Sequence, residues 1–144
     1  MLEPVAFRLP VRPNDLDSLG HVNNAVILEY FEAGRWAWMN RQGIRQTQAV
    51  VPVVSRIEVN YLKPVLGGMV EVNTRLSSFP DDPETSYQAV FQQSLTALTA
   101  QGPVAAAEAV IRIAFLDTSA SGLCSLQEYF EHAGIAPRET GCRP

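Results

Sequence analysis

Residues 12–31 read RPNDLDSLGHVNNAVILEYF, a polar turn that runs directly into an apolar helix. The first part, residues 14–20, is rich in the turn-forming residues asparagine, aspartate, serine and glycine. From Val22 to Arg41 the apolar residues recur with helical spacing. Asn23 or Asn24 is suited to cap the start of this helix. The segment therefore predicts a turn followed by one long helix.

The predicted helix has a polar arc and a much wider apolar arc. Glu29, Glu32, Arg35 and Asn40 form the polar arc, and Trp36 falls inside it. When the segment is wound at about 100° per residue, most of the apolar side chains lie outside that arc. An apolar arc wider than a surface helix needs predicts that other structure encloses the helix on most sides.

After the helix the periodicity drops to two, which is typical of β-strands. The predicted strands cover residues 50–62, 69–79, 85–99 and 104–117, and a short strand over 4–12 precedes the turn. The expected apolar face of the strand over 50–62 consists of Val51, Val53, Ile57, Val59 and Tyr61. The expected apolar face of the strand over 104–117 consists of Ala107, Ala109, Ile111, Ile113 and Phe115.

The order of these elements predicts an α+β architecture. We expect a five-stranded antiparallel sheet wrapped around one long buried helix. Ser125 to Glu128 form a capping box that begins a short C-terminal helix, and Gly134 closes it. The length suits a single domain over residues 1–144, with 137–144 as a loose tail. Open sheet edges favour pairing with a second copy, so a homo-oligomer is expected, a homodimer or a tetramer of dimers.

Composition excludes several classes of function. Eleven basic against fifteen acidic residues give a net charge of −4, which argues against a dedicated nucleic-acid binder. No apolar run approaches the roughly 20 residues that a membrane span needs, and the N-terminus lacks a signal-peptide pattern. Cys124 and Cys142 have no metal-ligand spacing. We therefore expect a cytoplasmic protein with no metal and no membrane association.

The junction between the turn and the helix has the groups that a catalytic site could use. The first N–H groups of a helix lack intrahelical partners and carry partial positive charge, so they can polarise a carbonyl or stabilise an oxyanion. A carboxylate a few residues upstream could act beside that carbonyl as a nucleophile or general base. The alternative is that Asp15 and Asp17 only cap turns and the helix dipole.

The word DLDSLGHVNN, residues 15–24, closely resembles the signature of the hot-dog-fold acyl thioesterases. That group contains 4-hydroxybenzoyl-CoA thioesterase-like and acyl-CoA thioester hydrolase-like proteins, and plant acyl-ACP thioesterases carry a related form. The resemblance extends over nearly the whole chain: the apolar helix, RIEVNYLKP at 56–64 followed by Gly67, and the paired long strands ending at Asp117. It implies the hot-dog fold and a thioesterase activity.

The resemblance also implies roles for individual residues. Asp17 matches the family's catalytic carboxylate, and Asn24 matches the position whose backbone N–H polarises the thioester carbonyl. His21 and Asn23 match polar residues that shape the turn, and in acyl-ACP relatives the histidine position has been given a catalytic part. Two positions depart from the pattern: Leu19 replaces an asparagine of those relatives, and Ile27 replaces a frequent tyrosine.

Other candidates have simpler structural explanations. Asp15 is expected to be structural. Glu29 and Glu32 could supply a base, since some hot-dog thioesterases place their carboxylate on this helix, but a solvated polar arc also explains them. Arg56 and Lys63 could bind the phosphates of coenzyme A, although surface ion pairing is the commoner role of such residues. Cys124 and His132 receive no role.

The interpretation from sequence is a thioesterase that hydrolyses acyl-CoA or acyl-ACP to free acid and thiol without a bound cofactor. Asp17 would act as nucleophile or general base, at a site between two subunits. One alternative is a hot-dog hydratase or dehydratase, but those relatives have an Asp-x-x-x-x-His pattern, in which the acid and the histidine are five positions apart, whereas Asp17 and His21 are four apart. The other is a non-catalytic protein that binds acyl thioesters.

Overall fold

The structure is a computed structural model that describes residues 2–77, 87–120 and 122–134. The end of the predicted strand over 69–79, the start of the predicted strand over 85–99, the predicted tail at 137–144 and Cys142 lie outside these residues. The elements in chain order are β1 (Val5–Pro10), a 3-10 turn (Pro13–Asp15), α1 (Asn24–Arg41), β2 (Val50–Tyr61), β3 (Met69–Leu76), β4 (Gln88–Thr99), β5 (Gly102–Asp117), β6 (Gly122–Leu123) and α2 (Leu126–His132).

The strands form one antiparallel sheet in the order β1-β3-β4-β5-β2. The two-residue strand β6 pairs with β5, so the sheet has six strands, whereas the sequence predicted five. β1 and β2 are the two edges of the main path. The α+β prediction of one antiparallel sheet with a long helix on it is confirmed.

α1 begins where the turn residues predicted. Asn23 is its N-cap, and the Asn23 side chain accepts a hydrogen bond from the backbone N–H of Ala25 at 2.8 Å. The helix packs mainly on β1, β3 and β4. Gly34 permits this close packing, because a Cβ at that position would lie 2.5 Å from Cγ1 of Val72 and 3.0 Å from Oγ1 of Thr74.

One member of the predicted polar arc lies elsewhere. Glu29, Glu32, Trp36 and Asn40 are exposed, as their place on the arc predicted, and Nε1 of Trp36 donates to Glu32 at 3.4 Å. Arg35, at the margin of that arc, is instead buried against the sheet. The prediction that Arg35 lies on the solvated face is therefore wrong. Because Gly34 lets α1 approach the sheet closely, the neighbouring Arg35 side chain is covered by the sheet.

β2 does not present one continuous apolar face. Its pairing with β5 shifts between Val54 and Arg56, which marks a β-bulge. Residues directly opposite each other share a face of the sheet, so Ile57, which pairs with the buried Ile111, points towards the helix side, whereas Val53 is paired with Ala114 on the other face. The predicted single face over Val51 to Tyr61 is wrong for this reason, since one extra residue inverts the alternation.

The apolar face predicted for β5 and the predicted capping box of α2 are confirmed. In β5 the five residues of the predicted apolar face are all buried, and they pack with α1 and α2 into one core. The capping box of α2 is present, with Ser125 and Glu128 each bonded to the other's backbone N–H. Among the described residues, no helix is long and apolar enough to cross a membrane.

Candidate active site

The segment before α1 is a short hairpin. Leu16 forms an isolated antiparallel bridge with Val22, and the backbone N–H of Asp17 donates to the carbonyl of His21 at 2.7 Å. Gly20 occupies the left-handed region at φ 77°, which a glycine adopts without strain, and closes the turn with a bond to the carbonyl of Asp17 at 3.0 Å. The local sequence therefore fixes the position of the Asp17 backbone, from which the side chain extends.

The Asp17 carboxylate is anchored through one of its two oxygens. Oδ1 accepts hydrogen bonds from the backbone N–H groups of Leu19 at 2.9 Å and His21 at 3.1 Å. Oδ2 has no hydrogen-bond partner among the described residues, and the residue is exposed in the single chain. Asp17 thus caps the turn, as the structural alternative requires, and still presents one unbonded oxygen, as a nucleophile or general base requires.

The start of α1 offers unpaired donors. Asn23 satisfies two N–H groups, that of Ala25 through its side chain and that of Ile27 through its carbonyl at 3.1 Å. The N–H groups of Asn24 and Val26 have no acceptor within the described part of the chain. They are the groups that a thioester carbonyl could meet, because they combine free hydrogen-bonding capacity with the positive end of the helix dipole.

Asp15 holds the turn in place. Its carboxylate is only 2% exposed and accepts hydrogen bonds from the Tyr30 hydroxyl at 2.6 Å, the Arg12 backbone N–H at 2.9 Å and the Arg12 guanidinium at 3.0 Å. Its own carbonyl accepts from the N–H of Asn23 at 2.9 Å. Burial raises the pKa of Asp15, but the bonds from Tyr30 and Arg12 outweigh it and hold the pKa below its usual value.

The contact between Tyr30 and Asp15 is a feature that the sequence interpretation missed. Burial and the bond to Asp15 raise the pKa of the Tyr30 hydroxyl, so this side chain stays protonated and acts as a donor. The available signal was a tyrosine within the apolar arc of α1, because a buried tyrosine hydroxyl needs a polar partner. The network ties the turn to the helix and has no unbonded carboxylate oxygen to offer.

A loop from a distant part of the chain lies beside this turn. The N–H of Val22 donates to the carbonyl of Val65 at 2.8 Å, and the Tyr61 hydroxyl donates to the carbonyl of Asn24 at 3.2 Å. These contacts bring a set of exposed apolar side chains next to the start of α1. The set, which we call the apolar rim, consists of Leu19, Tyr61, Leu62 and Leu66.

Of the other sequence candidates, His21 lies within the turn, whereas Arg56, Lys63 and Glu29 lie outside it. The His21 ring is half-buried and has no hydrogen-bond partner among the described residues. Arg56 forms an exposed ion pair with Glu58 at 2.7 Å, and Lys63 is exposed. Glu29 lies on the exposed face of α1.

The residues without an assigned role have no unusual surroundings. Cys124 is buried, which raises the pKa of its thiol, and His132 is exposed in the last turn of α2. Within the described ranges, no three His, Cys, Asp or Glu side chains group closely enough to hold a metal ion.

Comparison with known families agrees with this architecture. The model of the thioesterase-like superfamily matches residues 11–134, which include the turn, both helices and every strand except β1. This chain belongs to the thioesterase-like superfamily. No curated protein sequence gives a significant match.

Solved thioesterases share the fold of this superfamily member. YbaW from Escherichia coli, named a probable thioesterase, is 25% identical with a TM-score of 0.67, and the match covers 89% of this chain and 97% of YbaW. DHNA-CoA thioesterase from Staphylococcus aureus is 16% identical with a TM-score of 0.76, covering 90% of this chain and 85% of that one. A mutant 4-hydroxybenzoyl-CoA thioesterase complexed with 4-hydroxybenzoyl-CoA is 11% identical with a TM-score of 0.75, covering 90% and 98%. The fold is the hot-dog fold that the resemblance implied.

The departures from the thioesterase pattern have visible consequences. Leu19 is 77% exposed and contributes a large apolar side chain to the rim, where acyl-ACP relatives have an amide. Ile27 is buried in the core of α1, so no hydroxyl is available at that position. Both changes make the neighbourhood of the turn more apolar.

Proposed function

We propose that this thioesterase-superfamily chain hydrolyses acyl-CoA thioesters, with Asp17 as the nucleophile or the general base. The unbonded Oδ2 of Asp17, in a turn that leads directly into the unpaired N–H groups of α1, supports this proposal most directly. The thioester carbonyl would accept a hydrogen bond from the N–H of Asn24, which stabilises the charge that develops on its oxygen. The thiol of coenzyme A then leaves as Asp17 or an activated water adds to the carbonyl carbon.

The two modes of action differ in their intermediate. As nucleophile, the Asp17 carboxylate forms a mixed anhydride that water then hydrolyses. As general base, it takes a proton from the water that attacks the thioester. The bonds from Leu19 and His21 suit both modes, because they fix the carboxylate plane and leave Oδ2 for the substrate or water. His21 and Asn23 contribute through the shape of the turn and the cap of the helix.

A related enzyme with a bound thioester supports this proposal. The 4-hydroxybenzoyl-CoA thioesterase complex is that of a mutant in which an aspartate is replaced by asparagine. An enzyme that keeps its thioester bound once an aspartate loses its charge agrees with a catalytic aspartate in this fold. The apolar rim of the present chain would then adjoin the acyl group.

The test is thiol release from a panel of acyl-CoA esters, with alkyl, aromatic and ω-carboxy acyl groups, and an enoyl-CoA. We expect steady-state thiol release from at least one saturated ester and no hydration of the enoyl double bond. Hydration of the enoyl-CoA without thiol release would favour the hydratase alternative. Tight binding of the esters with no release above the uncatalysed rate would favour the non-catalytic alternative.

We also propose that the site is completed in a homodimer that pairs through the β2 edge. β2 is an edge strand of the sheet and exposes the apolar side chains of Val53, Val54 and Ile57. An exposed apolar edge strand is a template for pairing with another strand. An antiparallel β2–β2 pair would extend the sheet across both subunits and place the apolar rim, at the end of each β2, beside the start of the partner's β2.

We expect a solution mass of twice 15.8 kDa by light scattering, since the paired state covers the β2 edge. Ile57→Lys should shift the protein towards the monomer and lower kcat/KM by about 10-fold or more, because a charge would be buried at the pair. Met69→Lys is the matched control, as Met69 is exposed to a similar degree on β3. An Ile57→Lys protein that remains dimeric would place the interface elsewhere.

A further inference from the structure

Arg35 is a buried cation without an acidic partner. The residue is 6% exposed, and its Nη1 donates to the side-chain oxygen of Gln93 at 3.0 Å. No carboxylate lies within ion-pair distance of it in the described part of the chain, and Glu32, the acid that acts on it electrostatically, lies beyond that distance. Burial lowers the pKa of Arg35, yet a guanidinium stays protonated in proteins. A neutral amide oxygen is a poor replacement for a counter-ion.

Gln93 is fixed so that its oxygen faces Arg35. Its amide nitrogen donates to the carbonyl of Phe31 and to the Thr74 hydroxyl, each at 2.8 Å. Both donor positions of the amide are therefore used within the core, which determines the side-chain orientation. This arrangement holds one guanidinium nitrogen in place. The remaining nitrogens of the guanidinium have no hydrogen-bond partner within the described part of the chain.

Arg35 lies on the same side of α1 as the proposed reaction centre. Leu28 lies about one helical turn after Asn24, and Arg35 lies about three turns after Asn24. The three residues therefore form one line along the helix. Arg35 lies eleven positions after Asn24, so about 16 Å of helix axis separates the two. The arginine side chain leans back towards the N-terminus of the helix. A molecule held at the N–H of Asn24 could reach the guanidinium by lying along this line.

The sheet extends beyond α1 through β5 to the edge strand β2. α1 packs mainly on β1, β3 and β4, while β2 continues beyond it. Ile57 and Tyr61 of β2 share the helix side of the sheet and are partly exposed in the single chain, where the proposed partner subunit would border them. They form an apolar floor beside the line from Asn24 to Arg35. This flank combines an apolar path with a cation at its far end.

We propose that Arg35 binds a carboxylate at the distal end of the acyl group, so that the preferred substrates are ω-carboxyacyl thioesters. This inference rests on the proposed thioesterase function and specifies its substrate class. The carboxylate would supply the missing counter-charge and accept two N–H bonds from the guanidinium fork. The apolar floor would contact the methylene groups between the carboxylate and the thioester. An uncharged alkyl chain of equal length would leave Arg35 without a partner.

The first test compares pairs of esters of matched length: hexanoyl with adipyl, octanoyl with suberyl, and decanoyl with sebacyl-CoA. We expect the wild-type enzyme to favour the ω-carboxy ester in at least one pair, by about 10- to 100-fold in kcat/KM, the range for a hydrogen-bonded charge pair. Arg35→Met should abolish that ratio, and Arg35→Lys should restore part of it. Arg45→Met, a change of an exposed arginine after α1, should keep the wild-type ratio.

The second test measures binding without turnover. Suberate should raise the Tm of the wild-type protein more than octanoate does, and Arg35→Met should remove this difference. Equal rates on both members of every pair would overturn the role of Arg35 while leaving thioester hydrolysis intact. If no ester releases thiol, the proposed function fails, and the Tm comparison still decides the inference: equal shifts for suberate and octanoate, or a shift that survives Arg35→Met, would refute it.

Discussion

Asp17→Asn is expected to lower kcat for the best acyl-CoA substrate by about 100-fold or more, the loss typical of a removed general base or nucleophile. The substitution is informative because asparagine retains a side-chain oxygen that can accept from the N–H groups of Leu19 and His21. The turn should therefore keep its shape while the negative charge is lost. If Asp17 only caps the turn, kcat should be unchanged.

Two measurements make this result specific. Urea unfolding should give Asp17→Asn a stability within about 0.5 kcal/mol of the wild type, as expected for an exposed site whose bonds are conserved. Glu29→Gln and Glu32→Gln are the matched controls, because they neutralise the carboxylates of α1 that could also act as a base. Full activity in Asp17→Asn with a loss in one of these variants would move the catalytic carboxylate onto the helix.

The sequence predicts the local parts of this fold well because their causes are local. The start of α1 depends on a cap that precedes it, and Asn23 provides that cap with its own side chain. The strands follow from a period of two, and the apolar face of β5 is buried as predicted. The candidate site could be anticipated for the same reason, since Asp17 and Asn24 belong to one contiguous segment.

The features that the sequence did not predict depend on contacts between distant residues. The bulge near Ser55 changes the face of β2 without changing its composition, so periodicity alone does not detect it. Arg35 is buried because Gly34 brings α1 close to the sheet, a contact with residues of β3 and β4. The apolar rim forms only when the loop after β2 reaches Val22. None of these contacts has a signal at fixed sequence spacing.

Asp15 shows how closely a catalytic and a structural acid can lie in one sequence. Only Leu16 separates it from Asp17, yet every described contact of its carboxylate is internal: Tyr30 on the helix and Arg12 at the start of the turn. The difference arises from the hairpin, which points one acid into the protein and leaves the other at the surface. Sequence spacing alone does not distinguish the catalytic acid from the structural one, whereas burial does: Asp15 is buried and Asp17 is exposed.

Asp15→Asn is expected to lower the free energy of unfolding by about 1.5 to 3 kcal/mol at neutral pH, the range for a lost hydrogen bond to a charged group, because the Arg12 guanidinium left without its counter-ion is largely exposed. An asparagine keeps an acceptor for Tyr30 but leaves the Arg12 guanidinium facing a neutral amide. Glu71→Gln is the matched control: it breaks the surface ion pair with Arg8, whose N–O distance is 2.8 Å, and should cost less than about 1 kcal/mol. Equal losses in both variants would contradict a special role for the buried acid.

The stability lost in Asp15→Asn should also depend on pH. The folded-state pKa of Asp15 lies below its usual value, so the unfolded chain binds its proton first as pH falls. The stabilisation is therefore complete above the ordinary carboxyl pKa of about 4 and is lost as pH falls through the lowered folded value. Urea unfolding at about pH 7 and about pH 3 should show a smaller gap between wild type and Asp15→Asn at the lower pH. A gap that is the same at both would mean that the Asp15 charge does not stabilise the turn.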